Sequence, residues 1–166
     1  MLIKLKNKDH LIIDDFLFRC SIGKNNIKSK KIEGDKATPR GIFSIGKLYY
    51  RSDRISRPIT KITTKIIKKN MGWCDDPQNK YYNKEINIEN IQNKQNHEKL
   101  FRKDCSYDCF IVINYNTKKI RPYKGSAIFI HLTKDYKSTA GCVALKKKDF
   151  LILAKLINKK TKISLY

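Results

Sequence analysis

Ile128-Phe129-Ile130-His131 and, eleven residues beyond the histidine, Cys142 in Ser138-Thr139-Ala140-Gly141-Cys142-Val143-Ala144-Leu145 decide how this chain is read. The first run is apolar and predicts a buried strand ending at His131. The second predicts a glycine turn that opens directly into another buried apolar run. A backbone N–H at such a turn is where oxyanion holes are built. A cysteine attacks carbonyls as thiolate, and a nearby imidazole can take its proton and later deliver one to a leaving amine. The plain alternative is an ordinary buried thiol and an ordinary strand-end histidine.

Outward from this stretch the pattern stays β. Alternating or short apolar runs fall at residues 2–6, 10–14, 16–22, 41–49, 61–67, 108–115, 126–131 and 142–145, with Gly, Asn, Asp and Lys turns between them. One helix is marked by Asp149, Phe150, Leu151, Leu153, Ala154, Leu156 and Ile157 at helical spacing. Asn158 and the lysines after it end this helix, and 162–166 read as a closing strand. A further helix is expected from Asn93 to Arg102. Residues 70–104 form a polar insertion that holds the only tryptophan, and so long an insertion in a compact domain is more often functional than idle. No repeat, linker or boundary interrupts 1–166, which is read as a single domain.

The formal charge of +22 is extreme, and lysine outnumbers arginine thirty to seven. The basic residues are spread along the chain in small clusters, without the stripe of interleaved aromatics that a nucleic-acid binder presents, so no specific nucleic acid is expected. The charge does imply attraction to polyanions, such as an anionic cell wall or membrane surface. Five irregularly spaced cysteines do not form a disulfide framework. Cys105 and Cys109, with Cys74 and His97, lack the ligand spacing of a zinc site, so neither metal nor cofactor is expected. The N-terminal alternation of apolar and basic residues lacks the apolar core of a secretory signal, and no run is long enough to span a membrane.

Thr139-Ala140-Gly141-Cys142-Val143, following a strand that ends in His131, resembles the catalytic segment of the L,D-transpeptidase catalytic domain (YkuD-like) family. Lys31-Ile32-Glu33-Gly34-Asp35-Lys36-Ala37-Thr38-Pro39-Arg40-Gly41-Ile42-Phe43 is similar to that family's Thr-Pro-x-Gly-x-Phe segment. Gly72-Trp73-Cys74-Asp75-Asp76-Pro77, Tyr82-Asn83, His97-Glu98, Tyr107-Asp108 and Gly125-Ser126-Ala127-Ile128-Phe129 resemble a compact proteobacterial branch. The likeness covers roughly residues 16–166. Three positions depart from the commoner pattern: Leu132 stands for Gly, Ala140 for His and Ala144 for Arg.

The resemblance implies a mostly β domain, an L,D-transpeptidase-like β-sandwich of mixed sheets with one or two helices and the cysteine at the mouth of a cleft. It implies a peptidoglycan L,D-transpeptidase of the periplasm or cell envelope, working as a monomer on stem peptides. Cys142 would be the nucleophile and His131 the base, with Gly141 and Cys142 donating backbone N–H groups to the oxyanion. Thr139, Ser138 or a backbone carbonyl would orient the imidazole. Trp73, Asp75, Tyr82, Asn83 and Thr139 would bind substrate. Cys142 is expected to be a partly exposed, reactive thiolate. The alternatives are an L,D-carboxypeptidase on the same scaffold and, from another class, a basic nucleic-acid-binding domain that would leave the His131/Cys142 pairing as coincidence.

Overall fold

The computed structural model describes residues 1–29, 31–90 and 96–166. Its strands are β1 (Leu2–Lys6), β2 (His10–Ile13), β3 (Phe16–Ser21), β4 (Ile27–Lys28), β5 (Thr38–Pro39), β6 (Gly41–Tyr50) and β7 (Thr64–Ile66). They continue as β8 (Met71–Cys74), β9 (Glu85–Asn87), β10 (His97–Lys99), β11 (Cys109–Ile113), β12 (Phe129–Leu132), β13 (Val143–Leu145) and β14 (Lys162–Leu165). One helix, α1 (Lys147–Leu156), stands between the last two. The largest sheet runs β11-β12-β13-β3-β2-β1-β14-β6-β7, and β11 also pairs with β6, so the sheet closes on itself. It is mixed: β1 runs parallel to β14, β12 to β13 and β6 to β7, while the other pairs are antiparallel.

The two faces of β12 and β13 bury different things, because side chains alternate along a strand. Ile130, Leu132, Val143 and Leu145 enter the main core, where Phe150, Leu153 and Ala154 of α1 cover them. Full burial of each such side chain contributes roughly 1.5–3 kcal/mol. Phe129 and Cys142 face the other way, into a second cluster with Tyr49, Met71, Trp73, Leu100, Tyr107 and Phe110. Over that cluster lies a small sheet ordered β10-β8-β9, built from the polar insertion.

The helix expected over 93–102 is not found where the structure describes it. His97–Lys99 form β10, paired antiparallel with β8, and Leu100 is buried in the second cluster with its N–H donated to Met71 O. Pairing and burial override the local helical preference here; residues 93–95 lie outside the described residues. Among the described residues no helix is long and apolar enough to cross a membrane.

Candidate active site

Parallel pairing of β12 with β13 sets His131 opposite Ala144 and Ile130 opposite Val143. By the two-residue period, Cys142 therefore lies on the same face as His131, one step toward the start of β13. Both line one cleft of about 650 Å³. The Nδ1 of His131 is 2.9 Å from Leu132 O. A carbonyl oxygen only accepts, so Nδ1 carries the proton and the lone pair of the neutral ring is on Nε2. Of the three orienting groups open on sequence grounds, the backbone carbonyl holds the ring. Burial pushes the His131 pKa below its ordinary value, which keeps the ring neutral.

The thiol differs from its expectation. Cys142 is buried, 7% exposed, and its pKa is pushed up to about 12, first by burial and then by the nearby charge of Glu98. Its Sγ–H donates to Ala127 O at 3.2 Å, and Phe129 N–H donates to Sγ at 3.3 Å. The resting group is a sheltered neutral thiol rather than an exposed thiolate. Thiol and imidazole are thus both uncharged, because burial disfavours the ionic form of each.

The turn before the thiol is tied down from several sides. Gly141 has φ +137°, and a Cβ there would lie 2.8 Å from Ala37 O, so both conformation and space require glycine. Thr38 Oγ1 donates to Gly141 O at 2.9 Å and accepts from Gly23 N–H at 2.9 Å. This is what the Thr-Pro segment does in the fold: it clamps the cysteine turn to the β4–β5 region. Thr139 Oγ1 donates to Cys142 O at 2.6 Å and accepts the Gly141 N–H at 3.1 Å. Thr139 lines the cleft, yet its hydroxyl organises the turn.

Of the other residues expected at the substrate, the structure brings Asp75 to the cleft wall. Its Oδ1 is buried without a hydrogen-bond partner among the described residues, and its pKa is raised by burial and then by Glu33 and Asp76. Trp73, Tyr82 and Asn83 sit behind the cleft instead. The Trp73 ring meets Phe129 edge-on, with centroids 5.1 Å apart, and its Nε1–H donates to Asn83 Oδ1 at 3.0 Å. Asn83 Oδ1 also accepts Ala127 N–H at 3.0 Å, while Nδ2 donates to Tyr115 O and Asn116 O. Tyr82 donates its hydroxyl proton to Glu33 and accepts Gly125 N–H. Their polar groups are spent fixing the 125–127 loop, whose Ala127 carbonyl holds the thiol, so they support the site from below.

Sequence reasoning gave no role to Lys31, Glu33, Glu98, Arg102 and Tyr107, which also line the cleft. The signal was present in Lys31-Ile32-Glu33, His97-Glu98 and Tyr107-Asp108, segments singled out only as likenesses. All three departures from the commoner pattern, Leu132, Ala140 and Ala144, touch the cleft, and Leu132 also packs into the main core. Among the described residues, no group of three or more His, Cys, Asp or Glu side chains is placed to hold a metal.

A closed mixed sheet that presents a thiol and an imidazole from adjacent strands to one open cleft is the frame of a β-scaffold catalytic domain. The chain belongs to the L,D-transpeptidase catalytic domain family, whose model matches residues 5–165. No match was found among curated proteins or among solved structures. The family is an enzymatic one that acts on peptidoglycan.

Proposed function

We propose that this protein is a cysteine acyltransferase that cross-links peptidoglycan stem tetrapeptides. The observation that carries the reading is the shared cleft, in which the Cys142 thiol and the His131 imidazole, its Nδ1 anchored on Leu132 O, come from neighbouring strands. In the first half-reaction His131 Nε2 takes the thiol proton as Sγ attacks the carbonyl carbon of the third stem residue. The Cys142 N–H receives the developing oxyanion; the Gly141 N–H is already engaged by Thr139 Oγ1, so the two-donor expectation reduces to one. Collapse breaks the amide bond, and His131 passes its proton to the departing D-alanine amine. The product is a thioester on Cys142. An amine from a second stem then attacks that thioester, His131 takes its proton, and the proton returns to Sγ as the peptide leaves cross-linked.

Water in place of the amine gives the L,D-carboxypeptidase reaction from the same intermediate. Stem peptides are thus the proposed partner, in the cell envelope, and the +22 charge draws the protein toward anionic wall or membrane surfaces. The test is incubation with purified muropeptide tetrapeptides and mass analysis of the products. Cross-linked dimers are expected, with Cys142→Ser inactive and without the covalent carbapenem adduct expected at Cys142 in the wild type. Tripeptide alone would assign the carboxypeptidase reaction, and unchanged tetrapeptide would overturn both.

A further inference from the structure

The cleft is charged against the molecule that contains it. Glu33, Asp75 and Glu98 face it in a chain whose formal charge is +22. Of the four cations that line the cleft, three have carboxylates of their own: Lys31 Nζ is 2.7 Å from Asp35, Arg102 is 2.7 Å from Asp104 and Lys137 is 3.0 Å from Asp135, which leaves Lys36 against Glu33, Asp75 and Glu98. Arg102 is farther from Glu98, at 3.6 Å. The wall nearest the thiol therefore keeps surplus negative charge.

Glu98 occupies the centre of this arrangement. Tyr107 donates its hydroxyl proton to Glu98 Oε1 at 2.5 Å. The Tyr107 ring packs edge-on against the imidazole of His131, with centroids 5.5 Å apart and planes at 70°, and edge-on against Phe129. Arg102 stands over the Tyr107 ring at 5.0 Å. The titratable groups around Glu98 are Tyr107, Arg102, Asp75 and Glu33; His97 precedes it on β10 and acts on Asp75. Those acting on Cys142 are Glu98, Lys31 and Arg102. Like charges at short range in a poorly screened cleft disfavour each other's ionisation, and a cation between them reverses the sign.

Resting on the acyl-transfer reading above, we propose that Glu98 is a positioning residue that gates the nucleophile: with the cleft empty its carboxylate adds to burial in holding Cys142 as the neutral thiol, and a cationic amine of the substrate, seated between Glu98 and Asp75, cancels that addition and eases the passage of the proton from Sγ to His131 Nε2. The orphaned Oδ1 of Asp75 is an acceptor suited to that ammonium. Substrate charge and nucleophile activation are thereby coupled in one cleft, and an amine-free peptide of the same shape meets an unreactive thiol. The raised pKa of Glu98, caused first by its burial, agrees with a carboxylate that lacks a full counter-charge.

The experiment reads alkylation of Cys142 by iodoacetamide across pH, located by peptide mass, with N-acetyl-lysinamide as the cationic probe and N-acetyl-norleucinamide as its neutral counterpart. In the wild type, lysinamide should speed alkylation near neutral pH several-fold and norleucinamide should not. Glu98→Gln should alkylate about tenfold faster without any amine, a downward shift of roughly one pH unit in the profile, and should ignore lysinamide. Arg102→Gln should shift the profile the other way, and it carries the sign should Glu98→Gln lose its fold on heating. A Glu98→Gln profile that superimposes on the wild type, or equal effects of the two probes, would overturn the gate. Tetrapeptide turnover with an unmoved Glu98→Gln profile removes the gate alone. A moved profile with untouched tetrapeptide removes the acyl-transfer reading and leaves the gate standing.

Discussion

The Cys142 thiol is held by groups that sequence proximity does not reveal. Its acceptor is the carbonyl of Ala127, a non-glycine residue at φ +51°, and its preceding turn rests on Thr38, more than a hundred residues upstream. Backbone held in a sparsely populated region persists only where surroundings enforce it, and such positions gather at functional sites. Thr38→Val removes the hydroxyl that bridges Gly23 N–H and Gly141 O, leaving a buried donor and acceptor at a cost of about 1–3 kcal/mol. Thr38→Ser should restore most of that. Gly141→Ala combines the left-handed φ with the close approach to Ala37 O, and should both lower the melting temperature and abolish the carbapenem adduct. Thermal unfolding and intact mass on the three variants check the ordering; a Gly141→Ala protein with wild-type acylation would mean that the turn does not govern the thiol.

At the scale of elements, the 70–90 segment is a prop for the nucleophile loop. Asn83, at φ +56°, uses both ends of its amide to join Trp73, Ala127, Tyr115 and Asn116. Asn83→Ala orphans two buried N–H donors and should cost at least about 2 kcal/mol, with transpeptidation falling further than stability because Ala127 loses its anchor. A denaturant titration beside a product assay separates the two effects. The same element shows where the sequence was legible and where it was not. The apolar runs around 128–131 and 142–145 announced β12 and β13, because buried strands carry their own apolar pattern. The helix α1 announced itself by spacing, although it starts at Lys147, three residues before Phe150 opens its apolar face. Nothing local marked 97–99 as a strand, since β10 exists by pairing with β8. Trp73, Tyr82 and Asn83 were recognisable as belonging to the site, but polar and aromatic types alone do not tell a cleft wall from the network behind it. Glu98 and Tyr107 lie nine residues apart in sequence, yet their hydrogen bond and their place beside His131 follow from tertiary pairing alone.

Across the whole molecule, buried ionisable groups set a window of pH. Cys20, Cys109 and Cys142 each have a pKa pushed up to about 12, chiefly by burial. An unfolded thiol ionises near ~8.5, so above that pH the unfolded chain binds fewer protons than the native one and stability falls as pH rises. His131 acts with the opposite sign. Its native pKa lies below the ordinary value, so the unfolded chain binds more protons as pH drops through about 6.5, and stability falls there too. Denaturant midpoints should therefore plateau between these limits. Cys74 is raised too, again first by burial, so Cys142→Ser should remove about a quarter to a third of the alkaline slope below pH ~10, before tyrosines ionise, and His131→Gln should flatten the fall near pH ~6.5; an unchanged alkaline slope in the serine variant would contradict the buried thiol. The closure of the large sheet bears on how the chain is made. Leu2 in β1 pairs with Lys162 in β14, and β14 in turn pairs with β6. A ribosome releases the first partner long before the last exists, so the seam between β1 and β14 cannot form until the chain has been synthesised as far as Lys162. Until β14 emerges, the edges of β1 and β6 remain open to other chains, and non-local strand pairing of this kind is slow to form and exposed to aggregation. This architecture thus postpones completion of its fold until β14 has been made and leaves the nascent protein dependent on protection of those two edges.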